Sequence, residues 1–382
     1  LCCYELPDSL QKKLGLPWAI AAMHRLRPRS GPALHSLGLC GHVAYNALQH
    51  LEGAYQLDVP SPALPGTIFD PAPFDGRRFS NRSGAKPSSP GAILRWMLTR
   101  QRSKWPSPMA AAPVEPPATR IDDGTIRATC VGHSTVLLQC LGVNILTDPV
   151  WSRCAGPTAW LGVNRVRPAA FPFEALPPID VVLLSHNHYD HLDRPTLARL
   201  AARDNPLVLT GLNVGRAVPS TRVIELDWWQ SHDVGHDLRA TYVPAEHFSA
   251  RGPFDRNASL WGGFVLQTSL GTLYFAGDTG GGPHFAAIRH RFGPMTLSLL
   301  PIGAYMPPAI MAPIHINPAE AVAASLTLRS QLSVAIHFAT FPLADDAYDL
   351  PETALAQALA AAPAGVDFRV PDFGRPITVA PR

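Results

Sequence analysis

The stretch SHNHYDH, from Ser185 to His191, brings three imidazoles and a carboxylate within six positions: His186, His188, Asp190 and His191. Neutral imidazole and carboxylate together are a donor set that zinc accepts, and that iron and manganese also accept. Residues two apart on extended backbone point the same way, so His186 and His188 can grip one ion. Asp190 and His191 lie past the bend and can face a second. Four donors cannot close two tetrahedral sites, so the pattern demands further His or Asp residues at strand ends. The chain supplies them: His247 follows a strand-like run in TYVPAEHF, Asp278 follows another in TLYFAGD, and His337 closes AIH. The glycine before Asp278 permits close approach of the backbone. Singly, each of these three is as readily a hydrogen-bonded core or loop residue, because an unpartnered buried polar group is costly. As a set of seven, the donors point to a metal centre.

The elements that must position them can be read from periodicity. Val181 to Leu184 is a short apolar run of the kind buried on both sheet faces. Before it, TIRATCV, TVLLQCL and VNILTD read as three strands, the last two joined by a turn at Gly142. Residues 154–178 form a long connection carrying Trp160, Val163, Phe171 and Phe173, and such connections are often lids or binding loops. After His191, Asp193-Arg194-Pro195 opens a helix through Ala202. Strands are expected at 207–210, 223–226, 238–244, 262–268, 272–278, 296–302 and 334–337. Asn317, Pro318 and Glu320 have the types and spacing of a capped helix start, with the helix running to about Ser330. A further helix is expected near Glu352 to Ala362. Strands in runs and then alternating with helices give an α/β class, with two mixed sheets and helices outside.

Composition narrows the partners. The 382 residues are 46% hydrophobic and 16% charged, with a net charge of +3 and no basic run, which argues against nucleic acid. No apolar run reaches the roughly 18 residues of a membrane span. Forty prolines, many before residue 120, make the N-terminal part loop-rich. The expected organisation is an N-terminal extension over 1–65 with one short helix (Gly41–Tyr55), a wrapping arm over 66–120, and a metal-binding domain over 121–382. Within the arm, Ile93–Arg102 reads as a short amphipathic helix. Its basic face could meet anionic lipid headgroups, or it could dock on the core with its arginines in water. None of the six cysteines forms a C-x-x-C pair, and Cys130 and Cys140 read as buried thiols, which suits a reducing compartment. Lys12-Lys13 before LGLPWAIAAM, and Leu37–Cys40, are weak export-like signals. The expectation is a cytoplasmic protein with peripheral membrane contact, with export left open.

The H-x-H-x-D-H run, followed by a later His, an Asp in a GD element and a last His, resembles the metallo-β-lactamase superfamily over about residues 120–375. Gly132-His133-Ser134-Thr135, LTDPVW, WLGVNRVRP, LPPIDVVLLSHNHYDHLD, FAGDTG, PIGAY and IHFATF resemble the N-acylphosphatidylethanolamine-hydrolysing phospholipase D family and its bacterial relatives. FDGRRFSN and LRWMLTRQRSKWP carry that similarity upstream to about residue 69. The resemblance implies a four-layer αββα sandwich with two Zn2+ at the strand ends, iron or manganese being alternatives. It implies that His186, His188 and His247 hold the first ion, that Asp190, His191 and His337 hold the second, and that Asp278 bridges them. Asp278 and His315 are the implied catalytic residues. Asp278 would move a proton, and His315 would orient the phosphate or protonate the leaving group. The implied reaction is attack on an N-acyl-phosphatidylethanolamine-like lipid by a hydroxide bridging ions about 3.5–4 Å apart. A homodimer is compatible with this reading. Hydrolysis of a soluble phosphodiester, lactone or thioester is the alternative, because seven ligands do not discriminate among substrates. A di-iron oxidoreductase is remoter: it would carry H-x-E-x-D with a carboxylate in place of His188, and a flavin-binding domain. A non-catalytic metal-stabilised binder would be expected to lack ligands.

Overall fold

A computed structural model describes residues 70–84, 88–100 and 102–381. The helix expected at Gly41–Tyr55 and both export-like segments lie outside those residues. In chain order, α1 (Pro90–Thr99) precedes β1 (Ile126–Gly132), β2 (Thr135–Cys140) and β3 (Val143–Thr147). A small hairpin, β4 (Cys154–Ala155) and β5 (Val163–Asn164), leads to β6 (Val181–Leu184) and α2 (Arg194–Arg203). Then come β7 (Leu207–Gly211), β8 (Val223–Leu226), β9 (Ser231–Gly235), β10 (Leu238–Val243), β11 (Gly263–Thr268) and β12 (Gly271–Phe275). The chain continues through α3 (His284–Phe292), β13 (Leu297–Pro301), the single turn α4 (Pro308–Met311), α5 (Pro318–Leu328) and β14 (Leu332–Ile336). It closes with α6 (Leu350–Ala361), β15 (Phe368–Arg369) and β16 (Pro376–Val379).

Two seven-stranded sheets result, ordered β16-β1-β2-β3-β6-β7-β8 and β15-β14-β13-β12-β11-β10-β9. Each is antiparallel on one side and parallel on the other. The four residues of β6 show why its sequence is apolar throughout. Val181 and Leu183 enter the core shared with the second sheet, together with Tyr242, Phe264 and Phe275. Val182 and Leu184 point the other way, into a second cluster with Leu197 and Leu200 of α2. On the far side of the second sheet, Ile288 of α3 and Val322 and Leu328 of α5 complete the core. Helix, sheet, sheet, helix is the order of layers, and the expected αββα sandwich is the fold.

Local chemistry explains the boundaries. The Asn317 side chain accepts from the Glu320 amide while Glu320 accepts from the Asn317 amide, the reciprocal cap its spacing predicts. The long connection over 154–178 is more ordered than expected, because β4 and β5 pair. Gly156 and Gly162 meet back to back at the neck of that hairpin. A Cβ on Gly156 would lie 1.9 Å from the Leu161 carbonyl oxygen, so only glycine fits. Three further elements escaped the sequence reading. The β9 sequence, SHDVG, has no apolar alternation; α3 carries two histidines and two arginines in nine residues; α4 is one turn.

The arm ties itself to the loops beyond β10 and β14. The Asn81 side chain donates to the His247 carbonyl at 3.0 Å, and it accepts from the His247 amide at 3.1 Å and from Trp261 Nε1 at 2.9 Å. Ser83 Oγ donates to Glu246, and Trp96 Nε1 of α1 and Arg100 Nε just past its end both donate to Asp345. Removing a buried partner leaves its donors unsatisfied, at about 1–3 kcal/mol. Asn81→Ala should therefore lower unfolding stability by about that much in a urea titration. An unchanged midpoint and slope would show that the clamp contributes nothing.

Candidate metal centre

All the candidate donors leave the carboxyl ends of strands that run in one direction. His133, Asp148 and the run from His186 follow β1, β3 and β6 in the first sheet. His247, Asp278 and His337 follow β10, β12 and β14 in the second. The two sheets meet closely here because Gly277, at φ +61°, has no side chain: a Cβ would sit 2.6 Å from Ser185 Cβ. Three of the donors are themselves left-handed non-glycine residues, His133 (φ 52°), Asp148 (φ 31°) and His337 (φ 59°). Such backbone is costly and clusters at functional sites, where it re-aims a side chain at a strand's end.

The structure brings all seven predicted ligands together. His186 Nε2 lies 2.8 Å from His188 Nδ1, and His247 Nε2 lies 3.3 Å from the same atom. Asp278 Oδ2 stands between the two halves of the site. It is 4.0 Å from His186 Nε2, 3.7 Å from His247 Nε2, 3.1 Å from His191 Nε2 and 3.0 Å from His337 Nε2. Asp190 Oδ2 lies 3.3 Å from His191 Nε2 and 3.5 Å from His337 Nε2. His315 joins the edge, its ring 5.2 Å from that of His247 and 5.1 Å from that of His337.

The surrounding hydrogen bonds assign the tautomers. Ser185 Oγ donates to Asp148 Oδ2, so His186 Nδ1–H donates to Ser185 Oγ and its Nε2 lone pair faces inward. His247 Nδ1–H donates to the Ile314 carbonyl at 2.9 Å, and His191 Nδ1–H to Asp148 Oδ2 at 2.6 Å. Each therefore has only its Nε2 left to face the centre. An outer partner on the far ring nitrogen is the usual way a ligating histidine is held. Inward lone pairs separated by about 3 Å repel one another unless positive charge lies among them.

Electrostatics agree. Burial holds His186 and His247 well below the usual imidazole range and pushes His188 down to about 4, so all three stay neutral at pH 7. Burial would lower His191 and His337 too, but the carboxylates of Asp278 and Asp190 outweigh it; His191 stands well above the usual range and His337 at about 9. Asp190 and Asp278 are held well below theirs against burial, chiefly by His191. Two buried carboxylates thus draw positive charge to their meeting point, from protons on His191 and His337 or from a cation held among the same atoms. His191 Nε2, His337 Nε2 and Asp278 Oδ1 are buried yet make no hydrogen bond. Short approaches without hydrogen-bond geometry mark donors aimed at a common point. The residues fit a metal, and groups such as His186, His188 and His247 are close enough to share one.

Two residues at the centre had been given no role from sequence. Asp148 anchors both Ser185, through its amide and hydroxyl, and His191. His133 Nε2 lies 3.0 Å from Asp190 Oδ2, and burial pushes it down to about 3. Both sit just beyond strands, in GHST and LTDP, so the strand-end rule that found His247 would have found them. His188 and Tyr189 are half-buried where most of the donors are buried.

A sequence profile described as the beta-lactamase superfamily domain matches residues 143–338. The chain belongs to the beta-lactamase superfamily. It is a hydrolase with the metallo-β-lactamase fold. An uncharacterised superfamily relative from Mycobacterium tuberculosis is 38% identical over 268 residues, covering 68% of this chain and 71% of that protein. N-acyl-phosphatidylethanolamine-hydrolyzing phospholipase D 1 of Caenorhabditis elegans is 37% identical over 237 residues, 58% of this chain and 66% of that one. The mitochondrial N-acyl-phosphatidylethanolamine-hydrolyzing phospholipase D of Saccharomyces cerevisiae is 34% identical over 237 residues, 59% of this chain and 50% of its own length. Two solved structures share the fold. Igni18, a metallo hydrolase of Ignicoccus hospitalis, has a TM-score of 0.50 at 22% identity and covers 66% of this chain and 98% of its own. An isothiocyanate hydrolase from Delia radicum gut bacteria has a TM-score of 0.51 at 19% identity, covering 67% and 100%. Among the described residues no helix is long and apolar enough to cross a membrane.

Outer-sphere carboxylates typically govern metal affinity by about 10- to 100-fold. Asp148→Asn keeps the shape but weakens the hold on His191 Nδ1–H, so zinc affinity should fall by about that factor. Competition with a chromophoric chelator reads it, and unaltered affinity would remove Asp148 from the site.

Proposed function

We propose that this superfamily member is a dinuclear zinc phosphodiesterase of phospholipase D type, acting on N-acyl-phosphatidylethanolamine-like lipids. The observation that carries the dinuclear reading is Asp278 Oδ2, which lies within 4.0 Å of inward nitrogens from both halves of the site. His186, His188 and His247 would hold one ion and Asp190, His191 and His337 the other, with Asp278 shared. The similarity to the two phospholipases supports the lipid substrate.

When bound, such a metal pair supplies water ionised near neutral pH and positive charge facing the phosphoryl oxygens. The chain's own groups do the rest. Asp278 Oδ1 has no hydrogen-bond partner and is the oxygen left to accept the proton of the attacking water. His315, pushed down to about 4 by burial, is neutral at pH 7. It therefore cannot act as an imidazolium acid at rest; it donates a ring N–H to a phosphoryl oxygen, and its Nδ1 is buried without a partner. The water oxygen bonds to phosphorus as the bond from phosphorus to the ethanolamine oxygen breaks. That oxygen takes up a proton, giving N-acylethanolamine and phosphatidic acid.

Zinc-loaded protein with N-acyl-phosphatidylethanolamine in detergent micelles should release those two products, with oxygen from labelled water in the phosphatidic acid. Release of free fatty acid, or turnover of soluble phosphodiesters alone, would favour the alternative substrates. His315→Ala should lower kcat about 100-fold with zinc content unchanged. Unchanged kcat would remove His315 from the reaction.

A further inference from the structure

Thr279, directly after Asp278, is buried and carries a hydroxyl with three hydrogen-bond partners. Its Oγ1 accepts from the Glu246 amide at 3.0 Å, donates to the Gly280 carbonyl at 2.8 Å and lies 3.2 Å from His284 Nε2. A hydroxyl has one proton to give and two lone pairs to offer. With the proton on the Gly280 carbonyl, the third contact is His284 Nε2–H donating to Thr279. Every capacity of the oxygen is then used.

Backbone bonds close the same junction. The Gly280 amide donates to the Glu246 carbonyl at 2.7 Å, and the Ile316 amide donates to the Thr279 carbonyl at 2.8 Å. Gly280 approaches a third loop so nearly that a Cβ on it would sit 2.6 Å from the Pro313 carbonyl oxygen. Three loops therefore meet at Thr279. One carries Asp278, one carries His247 just after Glu246, and one carries His315 just before Ile316. Asp278 Oδ2 and His247 Nε2 stand 3.7 Å apart, and the hydroxyl–amide bond ties their two loops across 33 positions of chain.

His284, the first residue of α3, is buried, and burial pushes it down to about 3, so its ring is neutral at pH 7. Its other nitrogen, Nδ1, is buried and makes no hydrogen bond. Gly282 packs over it: a Cβ there would lie 2.9 Å from Nδ1 and 2.8 Å from Glu246 Cγ. A buried polar atom without a partner lowers stability, and a phenylalanine ring at this place would carry none. What the imidazole supplies in return is the Nε2–H that meets Thr279. We propose that Thr279 is a positioning residue of the metal centre: its hydroxyl fixes the His247 loop against Asp278, and His284 holds that hydroxyl in the direction this requires. The proposal rests on the reading of His247 and Asp278 as ligands of one ion and is independent of the substrate.

Zinc affinity, read by competition with a chromophoric chelator, should fall about 10- to 100-fold in Thr279→Val, which keeps the methyl group and loses the hydroxyl. Thr279→Ser should return it to the wild-type value; a residue needed for packing alone would show the reverse order. His284→Phe should lower affinity about tenfold while its melting temperature stays at or above that of wild type, because an unpartnered nitrogen leaves with the imidazole. A purely structural side chain would lower both together. Wild-type affinity in Thr279→Val, or a serine variant as weak as the valine one, overturns the proposal. Wild-type affinity in His284→Phe, or a loss that comes only with a lowered melting temperature, overturns the part given to His284 and, were Thr279→Val not to fold, the whole. His247→Ala reads the ligand assignment separately: unchanged affinity there would sink that assignment, whatever the Thr279 variants do.

Discussion

Asp278 puts a carboxylate, 3% exposed, among the ring nitrogens of His186, His191, His247 and His337. Burying that charge beside Asp190 costs more than a domain can sustain unless positive charge meets it there. The local architecture follows from this requirement. Outer partners turn the imidazole lone pairs inward, Gly277 lets the two sheets close at this edge, and left-handed backbone at His133, Asp148 and His337 re-aims side chains that would otherwise follow the pleat. Strain and buried polarity of this kind persist where the rest of the fold is strong enough to impose them. Here the strong part is the double-sided apolar core on β6 and its neighbours.

Sheet topology makes the convergence possible. Because β3, β6 and β7 are parallel in one sheet, and β12, β13 and β14 in the other, strands far apart in sequence end at one edge. Antiparallel pairing brings β1 and β10 into the same direction. The loops at that edge hold the chemistry while the opposite edge holds turns such as Gly142 and Gly271. The arm adds a second layer of control: Asn81 fixes the backbone of His247, and α1 anchors the segment after His337 through Asp345.

Local rules carried a reader of the sequence a long way. Apolar runs, helical spacing and the start signals at Asp193 and Asn317 gave most strands and four of the six helices among the described residues, since β-branched runs and capping chemistry act over a few residues. Elements with weak local signals did not show: β9 pairs through backbone with no apolar alternation, α3 is rich in His and Arg, and the hairpin depends on two glycines touching across six positions. His133 and Asp148 were passed over for a related reason. Their places at strand ends were legible, but their side chains serve other residues of the site, and that service is visible only when Asp190 and His191 are brought beside them.

The sequence by itself determined the donor types, their places at strand ends, the α/β class and the amphipathic helix, because each is a property of neighbours along the chain. Tertiary structure decided what depends on distance across it. It set which nitrogen of each histidine faces the centre, because the outer partner is a serine, a carbonyl or a carboxylate from elsewhere in the fold. It put Asp278 between the two halves of the donor set, left His315 neutral by burying it, and joined α1 to the hairpin through Leu343. Hydrogen-bond direction, desolvation and shared packing are set by three-dimensional neighbours, and no spacing along one strand encodes them.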